Sequence, residues 1–341
     1  MPRVSVVMPV FKAASVVADA VDSVLQQSFG DVELIVVDDG STDGTASVLA
    51  RFDDPRLRVV ALPANAGIAV ALNHGMSLAT GDLLARMDGD DIARGDRLER
   101  QVAAMDADPS IGVSGSWVQA LGRPGLVFRQ PLTDAAIRAR LQFGSAMFHP
   151  TVMVRRSVLA DAFEYDPAWV PVEDYELWTR LARNPSVRFM NLPETLLEYR
   201  VPSPSRVDYA ARQRRATVEV AVREAQRAGR VGDDVEARGA LQSLVLRAPP
   251  EPGGWATLVD QCVVWSAADA ETAREVAERW ALIVRKVRFV EIPAMVRGVS
   301  RRSRGRAAVA AGWALYGVVR RRRWAEGVVE ASRRLRARRR R

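Results

Sequence analysis

Four short apolar runs, each closed by a turn and separated from the next by a helical repeat, limit the folds open to this chain. They are Val4-Ser5-Val6-Val7-Met8-Pro9, Leu34-Ile35-Val36-Val37, Leu57 to Leu62 and Leu83 to Met87. Runs this short and β-rich read as buried strands. Between the first two, Ser15 to Gln27 carries Val17, Ala20, Val21, Val24 and Leu25 at the spacing of a helix lying on a sheet. Thr45 to Arg51 and Ile68 to Ala79 read as the next two helices. Strand and helix in alternation predict right-handed βαβ units, hence an α/β fold with a mostly parallel central sheet. Ligands of such sheets collect beyond the carboxyl ends of the strands.

Carboxylates gather at those ends. The run Leu83-Leu84-Ala85-Arg86-Met87 leads into Asp88-Gly89-Asp90-Asp91. If the backbone stays extended, Asp88 and Asp90 face one side and Asp91 is turned away. Two carboxylates so close repel unless a cation sits between them, and hard divalent ions such as Mg²⁺ or Mn²⁺ take oxygen ligands. The second run ends in Asp38-Asp39-Gly40-Ser41-Thr42-Asp43-Gly44. Of its two consecutive aspartates, one braces the loop and the other meets ligand. Gly40 and Gly44 permit the turn, and Ser41 or Thr42 is placed to cap the helix that follows. Asn65 and Asn73 offer amides suited to a base or ribose, and Gly67 and Gly75 allow close backbone approach.

Farther along, Ile111 to Gln119 reads as a strand and Thr133 to Leu141 as a helix capped by Thr133. Met147 to Arg156 is strand-like but interrupted by Pro150, which predicts an edge or a bulge. His149, held extended before that proline, is a candidate contact for a phosphate or the acceptor; a packed rim residue is the other reading. Val170 to Leu181 opens a helix with the stripe Leu177, Trp178 and Leu181 and with Glu173 and Asp174 at its start, where the dipole alone favours acids. Arg188–Asn191 and Glu194–Arg200 are the last apolar segments before a linker, Pro202-Ser203-Pro204-Ser205. Beyond it only helices are expected: 207–229, 234–247, 255–268, 271–287 and 307–319. The division is thus a domain over 1–205 and a helical region over 206–341.

The 341 residues are 48% apolar, ample for a real core. A single cysteine, Cys262, excludes an internal disulfide framework and fits a reducing compartment. Two histidines, His74 and His149, exclude a His-rich zinc site. With Met1-Pro2-Arg3 leading straight into a strand and no signal peptide, a cytoplasmic location is expected. The net charge of +8 is uneven. Arg297 to Arg341 holds 16 Arg against 2 Glu, a balance of +14, which leaves −6 for Met1 to Val296. The 13-residue apolar stretch 307–319 inside this tail is too short to span a bilayer. It fits an interfacial helix on the anionic inner face of the plasma membrane, and equally a helix packed on its own domain. No aromatic platform or DNA-binding motif accompanies the arginines, so nucleic acid is not an expected partner.

In order and spacing, Val4–Phe11, Val36–Asp43, Met87–Asp91 and Val172-Glu173-Asp174 resemble family 2 glycosyltransferases, with His149-Pro150 and Tyr199-Arg200 in register. The resemblance covers about residues 2 to 205. It implies a GT-A fold and an inverting transfer of a sugar from a nucleotide-diphosphate donor, UDP- or dTDP-linked by preference, to a hydroxyl on a glycan or lipid-linked acceptor. It further implies that Asp39 bonds the nucleobase within a donor site shared by Pro9, Asn65, Asn73 and Asp88. Asp88 and Asp90 would serve ribose and metal, Mn²⁺ or Mg²⁺, and Asp174 would be the base. Glu173, His149 and Arg200 would meet acceptor or phosphate. Pro202 stands where many relatives carry a metal-binding histidine. A non-catalytic nucleotide-sugar-binding or scaffold protein is the alternative, which the intact Asp39, Asp88, Asp90 and Asp174 disfavour. Nucleotidyl transfer would call for a Gly-rich loop after the first strand, and Val10 to Ala14 has no glycine.

Overall fold

A computed structural model describes residues 1–159, 164–201, 207–250 and 254–286. Strand and helix alternate at the start as the apolar runs require. The order is β1 (Val4–Val10), α1 (Val17–Leu25), β2 (Val32–Asp38), α2 (Thr45–Leu49), β3 (Leu57–Ala61), α3 (Ile68–Leu78) and β4 (Leu83–Arg86). Next come β5 (Ile92–Ala93), α4 (Arg97–Ala107), β6 (Ile111–Ala120), β7 (Val127–Phe128), α5 (Asp134–Leu141), β8 (Met153–Arg155), α6 (Arg156–Leu159), α7 (Glu173–Leu181) and β9 (Arg188–Tyr199). Four helices follow, α8 (Val207–Arg227), α9 (Val235–Leu246), α10 (Trp255–Ser266) and α11 (Ala270–Lys286).

The sheet runs β3-β2-β1-β4-β8-β6-β9-β5, with β7 beside β6. The first four strands pair in parallel. β8 lies antiparallel to both its neighbours, so β6, and β9 parallel to it, point the same way as β1 to β4. Six of the nine strands therefore share a direction, the mostly parallel sheet of an α/β fold.

Both faces of the sheet are covered, which is why β1 is apolar at nearly every position. Val7 joins Ile35, Val37 and Leu84 under α3, α5 and α7, whose contributions include Leu72, Ile137, Leu177 and Trp178. Val6 and Met8 face the other way, with Leu34, Val36 and Ala85, under α1 and α4 through Val21, Val24, Leu98 and Met105. Contacts between Cα atoms divide the chain into two units, Met1–Val220 and Ala221–Arg341. In the second, Leu241, Leu244, Trp265 and Ile283 are buried. Arg279, 2% exposed, pairs with Glu275 at 2.6 Å and donates to the carbonyls of Leu244 and Val245, taking up the open acceptors at the end of α9. The linker 202–205, the helix 307–319 and the arginine tail lie outside the described residues.

Several sequence expectations are corrected. His149-Pro150-Thr151 is a 3₁₀ turn, not extended strand, and β8 begins only at Met153. With proline spent in the turn, nothing bars β8 from the sheet interior, and it pairs on both sides instead of forming an edge. The two apolar segments before the linker are one strand, β9, which absorbs Pro193 through register shifts against β6. Helix α4 shows no clean apolar period in the sequence, because Arg97 and Gln101 stand on its buried face. Gly75 does serve close approach, but to the sheet: a β-carbon there would lie 2.4 Å from Val7 Cγ1 and 3.1 Å from Val37 Cγ2. Gly75→Ala is accordingly expected to destabilise the protein by about 1–3 kcal/mol through overpacking, despite alanine's better helix propensity. A urea midpoint equal to the parent's would contradict this packing.

Candidate active site

The carboxyl ends of β1, β2 and β4 lie side by side and carry the site. At the first two, Pro9, Val10, Phe11, Asp39, Asn65, Gly67, Ile68 and Ala71 line a cleft of about 210 Å³. Asp38 braces the turn after β2 by accepting from the Ser41 amide at 3.0 Å. Asp39 is 3% exposed and accepts from Ala66 N at 2.7 Å, Gly67 N at 2.9 Å and Asn65 Nδ2 at 2.9 Å. Both aspartates therefore brace loops, and Asp39 does so at the floor of the cleft. Gly40, at φ +70°, is held against the same loop: a β-carbon would sit 2.6 Å from Ala64 C. Neither Ser41 nor Thr42 caps α2. Gly44 is its N-cap residue, and Asp43 Oδ1 takes up Thr45 N while Ser41 Oγ accepts from Lys12 N. Asn73 lies elsewhere, its amide paired with both backbone groups of Tyr165 at 2.8 Å.

The end of β4 holds the acidic loop. Among the described residues, Asp88, Asp90 and Asp91 each place a carboxylate oxygen within 4.8 Å of the other two. Asp91 thus joins the group from which extended geometry excluded it. The strand ends at Arg86 and the chain turns at Gly89-Asp90, so alternation of side chains no longer applies beyond it. Gly89 is required inside this turn, since a β-carbon would meet Val10 Cγ1 at 2.4 Å. Burial and the charge of Asp88 raise the carboxyls of Asp90 and Asp91, the latter to about 8. Asp91 is fully buried; Oδ1 accepts from Arg200 N at 2.7 Å and Oδ2 has no partner. Arg200 also donates from Nε to the Asp90 carbonyl at 2.9 Å, so the structure brings it onto the loop. An all-oxygen donor set under mutual repulsion, with a free carboxylate oxygen, fits Mg²⁺ or Mn²⁺.

Sequence reading missed the cation at the centre. Arg86, 3% exposed, grips Asp88 with Nη1 to Oδ2 at 2.7 Å and Nη2 to Oδ1 at 2.6 Å. A lone arginine in an otherwise apolar strand was the available signal, because a buried guanidinium needs an acid. Behind it, buried Arg97 donates to the Arg86 carbonyl and to Gln101, which reaches Thr151 O and Ser114 Oγ.

Across from this loop stands the first turn of α7. Glu173 is 6% exposed with Oε2 unpartnered; burial and the Asp174 charge push its carboxyl up to about 7. Burial likewise raises Asp174, which accepts from Ser145 Oγ at 3.3 Å. His149 bonds through Nε2 to Tyr165 Oη at 2.9 Å and meets the Trp178 ring edge-on. Burial, with Arg86 nearby, holds its pKa well below 6.5, so the imidazole is neutral.

The family model for glycosyl transferase family 2 matches residues 5–163. EpsE of Bacillus subtilis (strain 168), assigned as a glycosyltransferase, is 33% identical over 208 residues, 59% of this chain and 74% of EpsE. The chain belongs to glycosyltransferase family 2. The O-antigen biosynthesis glycosyltransferase WbnJ of Escherichia coli is 29% identical over 60% of the chain and 82% of its own length. Among solved structures, S. aureus TarS 1–349 aligns with TM-score 0.55 at 17% identity, covering 82% of this chain and 84% of that one. The mannosyltransferase PcManGT of Pyrobaculum calidifontis aligns at 0.53 and 22%, covering 93% and 88%. These neighbours place the family 2 chain in the GT-A fold.

Glu173 gives the site a pH signature. With its folded-state pKa raised to about 7, the carboxyl is tolerated while protonated, and stability is lost as pH rises from its ordinary value of 4.5 through 7. Glu173→Gln should therefore melt higher than the parent at pH 8, with the gain vanishing below pH 4.5. A stability difference independent of pH would contradict the burial of that charge.

Proposed function

We propose that this family 2 glycosyltransferase moves a sugar, with inversion, from a nucleoside-diphosphate donor to a hydroxyl acceptor in polysaccharide or cell-surface glycan synthesis. The observation that carries this reading is the pairing of two acid groups around one buried cation. Asp88, Asp90 and Asp91 stand beside the Asp39 cleft, and Asp174 stands on a separate element within the field of Arg86. The names of relatives agree: WbnJ acts in O-antigen biosynthesis, TarS was solved with UDP-GlcNAc, and PcManGT with GDP-Man and Mn²⁺.

In this reading the Pro9–Asp39–Asn65 cleft takes the base, and Asp88 and Asp90 hold the ribose and a divalent ion. An ion held by these carboxylates would supply positive charge against that developing on the departing diphosphate. Asp174 takes the proton from the acceptor hydroxyl as its oxygen attacks the anomeric carbon, the bond from that carbon to the diphosphate breaks, and the diphosphate leaves with the electron pair. Burial keeps Asp174 more basic than a free carboxylate, which suits a group that must accept a proton. Glu173 and Arg200 border the acceptor and phosphate sides, and neutral His149 shapes the acceptor side without adding charge. Asn73, occupied with both backbone groups of Tyr165, takes no direct part in this reading.

No helix among the described residues is long and apolar enough to cross a membrane. A lipid-linked acceptor would instead be met at an anionic membrane surface, through the +14 tail. Full-length protein should then sediment with anionic vesicles at low salt and be released as salt rises; indifference to such vesicles would remove the tail from acceptor recognition.

Asp174→Asn tests the reading. It keeps the shape of the residue and removes its basicity, so transfer should fall on the order of 10²- to 10⁴-fold while nucleotide binding persists. In the parent, the rate should climb with pH through a limb lying above the ordinary carboxylate range, because only the ionised base works. Near-normal transfer by the variant would discard Asp174 as base, and nucleotide affinity unchanged in EDTA would discard the metal.

A further inference from the structure

Arg86 has no part in the chemistry above, yet it is buried beside the acidic loop. It is the last residue of β4, in the middle of the sheet, with its amide donating to Val152 O at 2.8 Å and its carbonyl held by Arg97 at 2.8 Å. The backbone on either side of the guanidinium is thereby fixed. From that fixed root, the side chain meets Asp88 fork to fork at 2.6 and 2.7 Å with almost no contact with solvent. Such a clamp sets the orientation of a carboxylate as well as its charge, which a single ammonium cannot do.

The charged and titratable groups that sense this guanidinium come from six parts of the chain. They are Asp88, Asp90 and Asp91 on its own loop, Glu173 and Asp174 on α7, Tyr165 before α7, His149 in the 3₁₀ turn, Tyr199 at the end of β9, and Arg97 on α4. Five of these are acids, and they fall into two sets on different elements. One cation is shared between them.

We propose that Arg86 is a positioning residue of the transfer: its clamp fixes Asp88 in the orientation that receives the donor, and the same charge lets the acids of α7 stand opposite. This rests on the transferase reading. Loss of the clamp would free the half-buried Asp88 to rotate, with no partner to fix its carboxylate. Damage should therefore appear first in donor binding.

Arg86→Lys and Arg86→Gln separate this from a purely structural role. UDP, dTDP and GDP are first titrated against the parent by calorimetry, with Mn²⁺ and without it, and the tightest binder is carried to both variants. A supporting partner of a binding carboxylate is typically worth 10- to 100-fold in affinity or activity. In folded variants, nucleotide affinity in Mn²⁺ should fall by about that factor and donor KM should rise in step, with acceptor KM unchanged. Lysine should restore only part of the loss, because it restores charge without the fork. The proposal is overturned if either folded variant keeps the parent's nucleotide affinity and kcat/KM, even with a lowered Tm. It is also overturned if both variants fail to fold, which would assign Arg86 to stability alone. A parent that binds none of the three nucleotides defeats the transferase reading itself, and this proposal with it.

Discussion

Crowding of like charge at the end of β4 is the constraint on which the rest of this molecule turns. Three carboxylates share a few ångströms on one loop, and two more face them from α7. A fold can carry such a load only where backbone and counter-charge are both rigid. The sheet supplies the first by hydrogen bonding β4 on either side, to β1 and to β8. Arg86 and Arg97 supply the second from inside the core. Their own burial is expensive, and it pushes Arg97 down to about 9. Acids and bases here stabilise one another, and neither set would be tolerable alone.

The same logic explains the polar side chains that a hydrophobic-core description passes over. Gln101 is fully buried yet fully used, bridging α4 to the 3₁₀ turn through Thr151 O and to β6 through Ser114 Oγ. Thr151 Oγ1 in turn accepts from Ser116 N and donates to Phe148 O. These bonds run under the floor of the site from α4 to β6, across the place where strand direction reverses at β8. Satisfied buried networks of this kind specify one arrangement, because any other would leave donors and acceptors unpaired.

Fold class was readable because β1 to β4 and the helices between them follow simple periods: buried strands are apolar throughout and surface helices carry a stripe. Legibility fell where polar residues serve the interior. Arg97 and Gln101 hide α4, and Pro150 suggests a strand edge because a proline in a 3₁₀ turn leaves the same sequence signal. The acids at the strand ends are visible in the sequence, and the structure gathers Asp88 and Asp90 on one loop and sets Asp39 in a cleft. Their hydrogen bonding could not be named. Nothing in the order of residues says that Asp39 is tied up by the 65–67 loop, that Asn73 serves Tyr165, or that Asp91 swings back towards Asp88. Those follow from chain reversal at Gly89 and from long-range partners that periodicity does not encode.

The placement of β8 also bears on how the chain is made. As synthesis proceeds from the amino terminus, β1 to β3 find their neighbours among strands already present or next to appear. β4 pairs with β1 at once, but its other edge is filled only by Met153–Arg155, some seventy residues later, and β6, completed earlier, must await the same three residues. Until then two strand edges beside the acidic loop stay open on the emerging polypeptide. Open edges invite pairing with other chains. Asp88, Asp90 and Asp91, already made by then, are charges that would discourage such pairing while the ribosome is still at work.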